Sequence, residues 1–186
     1  MNHMSYIDGT GTVVWEIDTA IVDPILKVDG NYILIAEKGR NKICLYIDNK
    51  LQYDVDDPDT VMSAELSSNG DVVVGTDKSS YRGGISVYNK SGEQIFSWAS
   101  GSDAVICADI SAASRSVAVA LLNSDVTAKT TVQLFNVNET ESYAKIEMPD
   151  TVVYELQFVG DKVNAFGDNR VTGISSSGKI VYDNDF

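Results

Sequence analysis

Gly11-Thr-Val-Val-Trp15 and Gly92-Glu-Gln-Ile-Phe96 are two copies of a short phrase in which a turn residue opens a strand that ends in an aromatic side chain. The phrase returns once every ~40 residues, a spacing typical of arrays in which each repeat is one supersecondary unit. The other copies are Asn49-Lys-Leu-Gln-Tyr53, Thr140-Glu-Ser-Tyr143 and Gly178-Lys-Ile-Val-Tyr182. The chain is therefore built from repeats.

Each repeat contains four short runs rich in Val, Ile, Tyr and Phe, separated by clusters of Gly, Asn, Asp and Ser. Such runs are typical of antiparallel strands joined by tight turns. Four strands in a repeat of this length indicate the blade of a β-propeller. We therefore predict an all-β fold, a propeller segment of about four four-stranded antiparallel blades. The repeats span approximately residues 22–56, 59–99, 103–147 and 150–186.

One more strand, Thr12 to Ile17, precedes the first repeat and matches the last strand of a blade. Residues 1–4 resemble an initiating methionine followed by residues left from cloning, so residues 5–186 are the predicted propeller segment. The extra strand indicates that the segment is cut from a longer propeller. Because an open arc leaves unpaired strand edges, we expect self-association, or a ring completed by a second copy.

The composition limits the classes of partner. With 27 acidic and 14 basic residues the chain carries a formal charge of −13, which repels a phosphate backbone and excludes nucleic acid. No stretch approaches the ~20 apolar residues that cross a bilayer, so this segment does not insert into a membrane. Cys44 and Cys107 lie in apolar runs two repeats apart, which indicates two buried thiols and not a disulfide.

The phrases Asp8-Gly-Thr-Gly-Thr-Val-Val-Trp15 and Asp23-Pro-Ile-Leu-Lys-Val-Asp-Gly30 resemble quinoprotein-like and WD40-like propeller repeats. More narrowly, residues 15–137 resemble an uncharacterised propeller family of Gram-positive bacteria, a domain of unknown function whose members carry an N-terminal membrane anchor. This resemblance implies a seven- or eight-bladed propeller held on the extracytoplasmic side of the membrane, with this segment itself soluble.

The quinoprotein resemblance implies a second hypothesis, an enzyme that depends on a quinone cofactor or on calcium. Quinoprotein repeats carry a docking tryptophan, which this chain keeps only at Trp15, because Trp98 stands two positions beyond Phe96. No residue matches the positions that hold the quinone. We therefore predict no cofactor, with calcium as the one alternative.

One aspartate stands just before the first strand of each repeat, and the four are Asp23, Asp59, Asp103 and Asp150. Because equivalent loops of a propeller meet on one face, these carboxylates are candidate ligands for a hard cation such as Ca²⁺. The structural alternative is that each aspartate accepts hydrogen bonds from nearby backbone amides at its turn. The dense acidic run from Asp54 to Asp59 is interpreted as a solvated loop.

Tyr81 and Arg82 lie in a loop between strands and are candidate contacts for a protein partner, since Tyr and Arg are enriched at binding hot spots. No catalytic constellation accompanies the repeats. The leading hypothesis is therefore a noncatalytic binding or scaffold module that presents propeller loops to a protein, peptide or glycan. The alternatives are the quinoprotein-like enzyme and a structural fragment that is inactive without the rest of the propeller.

Overall fold

The computed structural model describes residues 2–113, 115–124 and 128–186, and the secondary structure of those residues is β-strand joined by turns. The strands form one two-stranded sheet and four four-stranded sheets. Within these residues there is no helix that could cross a bilayer. The predicted all-β propeller segment is confirmed, and four of the five sheets have four strands.

The two-stranded sheet, called the leading hairpin, consists of β1 (Asn2–Ile7) and β2 (Val13–Thr19). The strands of blades 1 and 2 are β3 (Pro24–Asp29), β4 (Tyr32–Glu37), β5 (Lys42–Ile47) and β6 (Lys50–Asp56), then β7 (Thr60–Leu66), β8 (Val72–Asp77), β9 (Gly83–Tyr88) and β10 (Gln94–Ser100). Those of blades 3 and 4 are β11 (Ala104–Ile110), β12 (Ser116–Asn123), β13 (Lys129–Asn136) and β14 (Ala144–Pro149), then β15 (Val153–Val159), β16 (Lys162–Gly167), β17 (Arg170–Ile174) and β18 (Ile180–Asp185).

In every blade the four strands pair antiparallel in chain order, so each connection is a hairpin. The leading segment departs from the sequence prediction, because it contributes two strands instead of one. Residues 2–4 lie in β1, where Asn2 pairs with Thr19. Whether those residues are a cloning remnant stays a prediction. In the sequence, the stretch from Asn123 to Lys129 is the widest insertion between two strand runs of a repeat, and its residues 125–127 lie outside the described part of the chain.

Hydrophobic clusters fill the space between each blade and the next. In β8, Val72 and Val74 pack against blade 1, whereas Val73 packs against blade 3. All three side chains are fully buried, because successive residues of a strand point to opposite faces and both faces are covered. A run of consecutive valines therefore suits a second strand in this fold. The leading hairpin covers the outer face of blade 1 in the same way, with Trp15 against Tyr46.

The structure corrects one member of the aromatic repeat. The register pairs Tyr53 with Leu45, Phe96 with Val87 and Tyr182 with Gly173, and the equivalent residue of blade 3 is Ala144, which pairs with Leu134. Tyr143 lies one residue earlier, outside the β13–β14 ladder, and is 38% exposed.

The cause of this difference is the approach of blade 4. A Cβ atom added to Gly178, in the last turn of blade 4, would lie 2.2 Å from the Cβ of Ala144. This turn comes closer than the equivalent turn of blade 2, where the corresponding distance to the side chain beneath it is 2.9 Å, so the space at position 144 suits a small side chain. The ladders of the other three blades carry a register shift between their third and fourth strands, and no shift occurs between β13 and β14.

Tyr53 occupies the same position beneath blade 2. A Cβ atom on Gly92 would lie 2.9 Å from the Cγ of Tyr53, and Gly92 has a φ of +82°, which disfavours any other residue. We expect Gly92→Ala to lower the free energy of unfolding by about 2 kcal/mol, from backbone strain and overpacking together. Urea denaturation followed by circular dichroism measures this loss.

The control for that measurement is Gly9→Ala. Nothing lies within 4 Å of a Cβ atom added at Gly9. The control should stay within about 0.5 kcal/mol of the parent. Equal effects of the two substitutions would contradict the packing of Tyr53 beneath the turn of blade 2.

Candidate functional site

A groove of about 480 Å³ opens where the ends of the first strands of all four blades converge. Its walls are the last residues of β3, β7, β11 and β15 and the turns that follow them. Because each first strand is fixed in a four-stranded sheet, the side chains that face the groove stand on a rigid frame. This surface is called the inner groove.

One position of each first strand supplies the polar side chains of the inner groove. The register places these residues opposite equivalent residues of the second strands, namely Leu34, Val73, Ala118 and Asn164. The four polar residues are Lys27, Glu65, Asp109 and Gln157. Glu155 adds a further carboxylate to the wall. The groove therefore holds carboxylates from blades 2, 3 and 4 and an ammonium group from blade 1.

Lys27 and Glu65 connect blades 1 and 2. The Nζ of Lys27 donates a hydrogen bond to Oε1 of Glu65 at 2.6 Å. Both side chains are about one-third exposed, at 39% and 34%. Burial raises the pKa of Glu65, and the bond and charge of Lys27 act in the opposite direction. The pair holds the two blades together but leaves both groups open to the groove.

Asp109 connects blades 3 and 4. Its carboxylate accepts hydrogen bonds from the backbone N–H of Phe158, at 2.6 Å, and of Ile110, at 2.8 Å. Burial raises the pKa of Asp109 to about 6, although both hydrogen bonds favour the ionised form. Glu65 raises this pKa further and Lys27 lowers it. Blade packing thus fixes a carboxylate that exchanges its proton close to neutral pH.

These charges favour a positively charged ligand. Glu65, Asp109 and Glu155 outnumber Lys27, and the partial burial of Glu65 and Asp109 weakens the screening that water would provide. Carboxylates of this kind accept strong hydrogen bonds from ammonium and guanidinium groups. Cys107 lies nearby, but burial and the adjacent carboxylates raise its pKa to about 12, so its thiol stays protonated and is a poor nucleophile at neutral pH.

The aspartates proposed as cation ligands lie at the other end of the first strands. Asp59 forms an ion pair with Lys78, with 3.1 Å between Oδ2 and Nζ, and Asp103 accepts a hydrogen bond from Nδ2 of Asn123 at 2.8 Å. Asp23 and Asp150 accept hydrogen bonds at their backbone carbonyls from residues of their own blades. A cation site there stays a prediction. In the described part of the chain no three His, Cys, Asp or Glu side chains form a metal-binding group.

The acidic run before β7 is not uniformly solvated. Asp57 is only 1% exposed, and its carboxylate accepts hydrogen bonds from the hydroxyl of Tyr88 at 2.6 Å and from the backbone N–H of Asp59 at 2.8 Å. The interpretation of the run as a solvated loop is therefore wrong for Asp57. Asp57 anchors the connection between blades 1 and 2 through its carboxylate and through its backbone N–H, which donates to the carbonyl of Asn41.

Tyr81 and Arg82 lie in the connection between β8 and β9. Tyr81 is 50% exposed, and its backbone N–H donates to the carbonyl of Lys78. The N–H of Arg82 donates to the carbonyl of Ser100 at 2.9 Å. These two backbone hydrogen bonds anchor the loop, and the side chain of Tyr81 is exposed. A role in partner binding stays a prediction.

Both cysteines are free thiols, with Cys44 buried and Cys107 half-buried. Burial raises the pKa of Cys44 to about 11. The sequence analysis expected small buried side chains, and Cys44 has that role between blade 1 and the leading hairpin.

Sequence reasoning missed the inner groove, although a signal for it is present. Near the end of each first strand a polar residue precedes an apolar one, in Lys27-Val28, Glu65-Leu66, Asp109-Ile110 and Gln157-Phe158. Alignment of the four repeats on this pair would have placed the polar members at one level of the fold. The aspartates before the strands formed a recognisable pattern because all four are the same residue type, whereas the polar residues of the groove differ in type.

The successive four-stranded sheets and the groove at their inner edge define a β-propeller segment. The chain belongs to DUF5711, a family of unknown function, whose model matches residues 1–185. A sequence search of curated proteins finds no match.

Solved structures of low sequence identity share the fold. Hsv2 from Kluyveromyces marxianus has a TM-score of 0.69 and 14% identity, with 94% of this chain and 56% of that chain covered. BamB from Moraxella catarrhalis has a TM-score of 0.62 and 11% identity, with 95% of this chain and 57% of that chain covered. BBS1N, solved in complex with ARL6DN, has a TM-score of 0.60 and 17% identity, with 96% of this chain and 56% of that chain covered. The chain spans about half the length of these propellers.

The raised pKa of Asp109 makes stability depend on pH. Because the folded chain binds this proton more tightly, the contribution of Asp109 is fully present below pH 3.8 and is lost as the pH rises through about 6. Asp109→Asn does not titrate. We expect the unfolding free energy of the parent to fall relative to that of Asp109→Asn across this window, measured by urea denaturation at each pH. The matched control is the exposed carboxylate change Asp77→Asn, and an equal pH-dependent difference for the control would contradict this assignment.

Proposed function

We propose that this protein is a noncatalytic binding module and that its inner groove receives a basic segment of a partner protein. The observation that carries the proposal is the arrangement of Glu65, Asp109 and Glu155 around one concave surface to which all four blades contribute. A lysine or arginine side chain entering this groove meets the carboxylates of Glu65 and Asp109, which hydrogen bonds already hold in place. Little conformational entropy is then lost on binding.

The charge of the whole chain supports the same class of partner. A net charge of −13 attracts basic proteins over a distance and raises their rate of association at low ionic strength. Lys27 restricts the choice further. Because its ammonium group lies beside Glu65, a ligand has to place its positive charges nearer to Asp109 and Glu155 or displace the existing ion pair.

Propellers of related fold are consistent with protein binding in general, since the BBS1N structure contains ARL6DN. That similarity supports the fold and transfers no partner to this chain. Display outside a Gram-positive membrane likewise stays a proposal based on the sequence resemblance.

A test uses fluorescently labelled peptides that carry clusters of lysine or arginine, with peptides of the same length and neutral composition for comparison. We expect basic peptides to bind the parent in fluorescence polarisation and the double change Glu65→Gln and Glu155→Gln to weaken binding about tenfold, through loss of charge-assisted hydrogen bonds. Affinity should also fall as salt rises.

The matched control changes the exposed carboxylates of Glu93 and Glu139 to Gln and so alters the net charge equally. Its binding should stay within about threefold of the parent, because exposed charges distant from the ligand are screened. An equal loss in both double variants would show nonspecific attraction and refute the groove as the site. If no basic peptide binds, the proposal that the partner is a basic protein segment is refuted.

We also propose that two copies of this chain associate through the ends of the arc. The outward face of blade 4 is register-equivalent to the faces that blades 1 to 3 bury, and it presents Phe166, Val171 and Tyr182. Tyr182 is 40% exposed, packs over Gly173 and donates a hydrogen bond to Oδ1 of Asn164. At the other end β1 pairs with β2 alone and leaves one strand edge open.

Sedimentation velocity tests this association. We expect a concentration-dependent dimer, and Tyr182→Lys should raise its dissociation constant at least tenfold, because a buried ammonium group would replace an apolar ring. Tyr143→Lys is the control, since Tyr143 has a similar exposure of 38% but lies in a turn of blade 3. A parent that stays monomeric up to about 100 μM, or equal effects of the two substitutions, would refute the proposal.

A further inference from the structure

A second concave surface lies at the rim of the arc, between the last strand of blade 2 and the outer strands of blade 3. It encloses about 520 Å³, within the range of roughly 300–1,000 Å³ that small-molecule sites occupy. Trp98 of β10 forms part of one wall, and Gln133 of β13 and Lys145 of β14 face it from blade 3. This surface is called the rim cavity, and it is separate from the inner groove.

The indole of Trp98 is held in place. It packs against Phe135 with ring centroids 5.0 Å apart and planes inclined by 49°. Trp98 also borders the hydrophobic cluster between blades 2 and 3 and is only half-buried, so part of the ring faces the cavity. A rigid aromatic surface offers contact area to a ligand with little loss of side-chain entropy.

Two polar side chains of the rim cavity, Gln133 and Lys145, are available to a ligand. Gln133 and Lys145 pair across β13 and β14, and within the described residues neither side chain has a hydrogen-bond or ion-pair partner. The equivalent pair of blade 4 satisfies itself, because the Thr172 hydroxyl donates to Oδ1 of Asp183 at 2.6 Å. Blade 3 therefore leaves two hydrogen-bonding groups directed to one concavity where blade 4 leaves none.

The connection from β13 to β14 completes the wall. It spans residues 137–143, which makes it the longest of the four turns between third and fourth strands, and contributes Thr140, Glu141 and Ser142. Hydroxyl and carboxylate groups add donors and acceptors to the amide of Gln133 and the ammonium of Lys145. Long loops on a rigid scaffold are where binding residues concentrate.

From this combination we infer that the rim cavity binds a saccharide. A pyranose ring has an apolar face of C–H groups, which fits the exposed surface of the Trp98 indole, and a border of hydroxyl groups that both donate and accept hydrogen bonds. Gln133, Lys145, Glu141 and the two hydroxyl residues offer the complementary mixture. Asp103, whose carboxylate accepts a hydrogen bond from Asn123, also lines the cavity, so two carboxylates face one ammonium group and favour a neutral ring over an anionic ligand.

Tryptophan fluorescence provides a direct test, because Trp15 and Trp98 are the two tryptophans of the chain. The Trp15→Phe variant reports on Trp98 alone. The probes are glucose, galactose, N-acetylglucosamine, cellobiose and chitobiose, each titrated to about 50 mM, which detects a Kd of about 1 mM. We expect a saturable change in Trp98 fluorescence with at least one of these sugars and matching heat in calorimetry with the unmodified chain.

Gln133→Ala should weaken this binding about fivefold or more through the lost hydrogen bonds, whereas Gln52→Ala, an exposed glutamine on β6, should leave it unchanged. The inference is overturned if no probe gives a saturable signal, or if Gln133→Ala and Gln52→Ala bind the sugar alike. Trp98→Leu provides a second check by calorimetry, provided that its circular dichroism matches the parent. Groove variants at Glu65 and Glu155 should not alter sugar binding, so this test and that of the inner groove fail independently.

Discussion

Burial of both faces of every blade against its neighbours is the interaction on which the structure depends. A single blade cannot bury its hydrophobic faces alone, but Val72 and Val74 on one face and Val73 on the other each pack against a neighbouring blade. The repeat length and the aromatic spacing follow from this requirement. So does the rigidity of the first strands, which hold the side chains of the inner groove.

The fold was accessible from the sequence because its determinants are local and repeated. The pattern of turn residues and alternating strands occurs four times. Agreement among the four copies therefore predicts the order of the blades. Tyr143 shows the limit of this reasoning. Only the approach of the blade 4 turn to Ala144 reveals which residue occupies the packed position, and that approach depends on contacts between repeats.

The candidate site was less accessible, since it is formed by residues that are distant in sequence and differ in type. Lys27, Glu65, Asp109 and Gln157 share a register position but no chemistry, so no motif connects them. The burial of Asp57 was missed for a similar reason. A dense acidic run suggests exposure to solvent, and the Tyr88 hydroxyl that donates a hydrogen bond to the Asp57 carboxylate comes from another strand.

The two concave surfaces illustrate how a repeat fold separates stability from function. Residues that face a neighbouring blade repeat with small variations, because every interface has to exclude water. Residues at the inner edge and at the rim escape that requirement and differ from blade to blade. Asp109 and Gln133 both lie in blade 3, yet one bridges to blade 4 through the N–H of Phe158 and the other faces blade 2 beside Trp98. A single blade can thus contribute to two sites of different chemistry without change to its packed core.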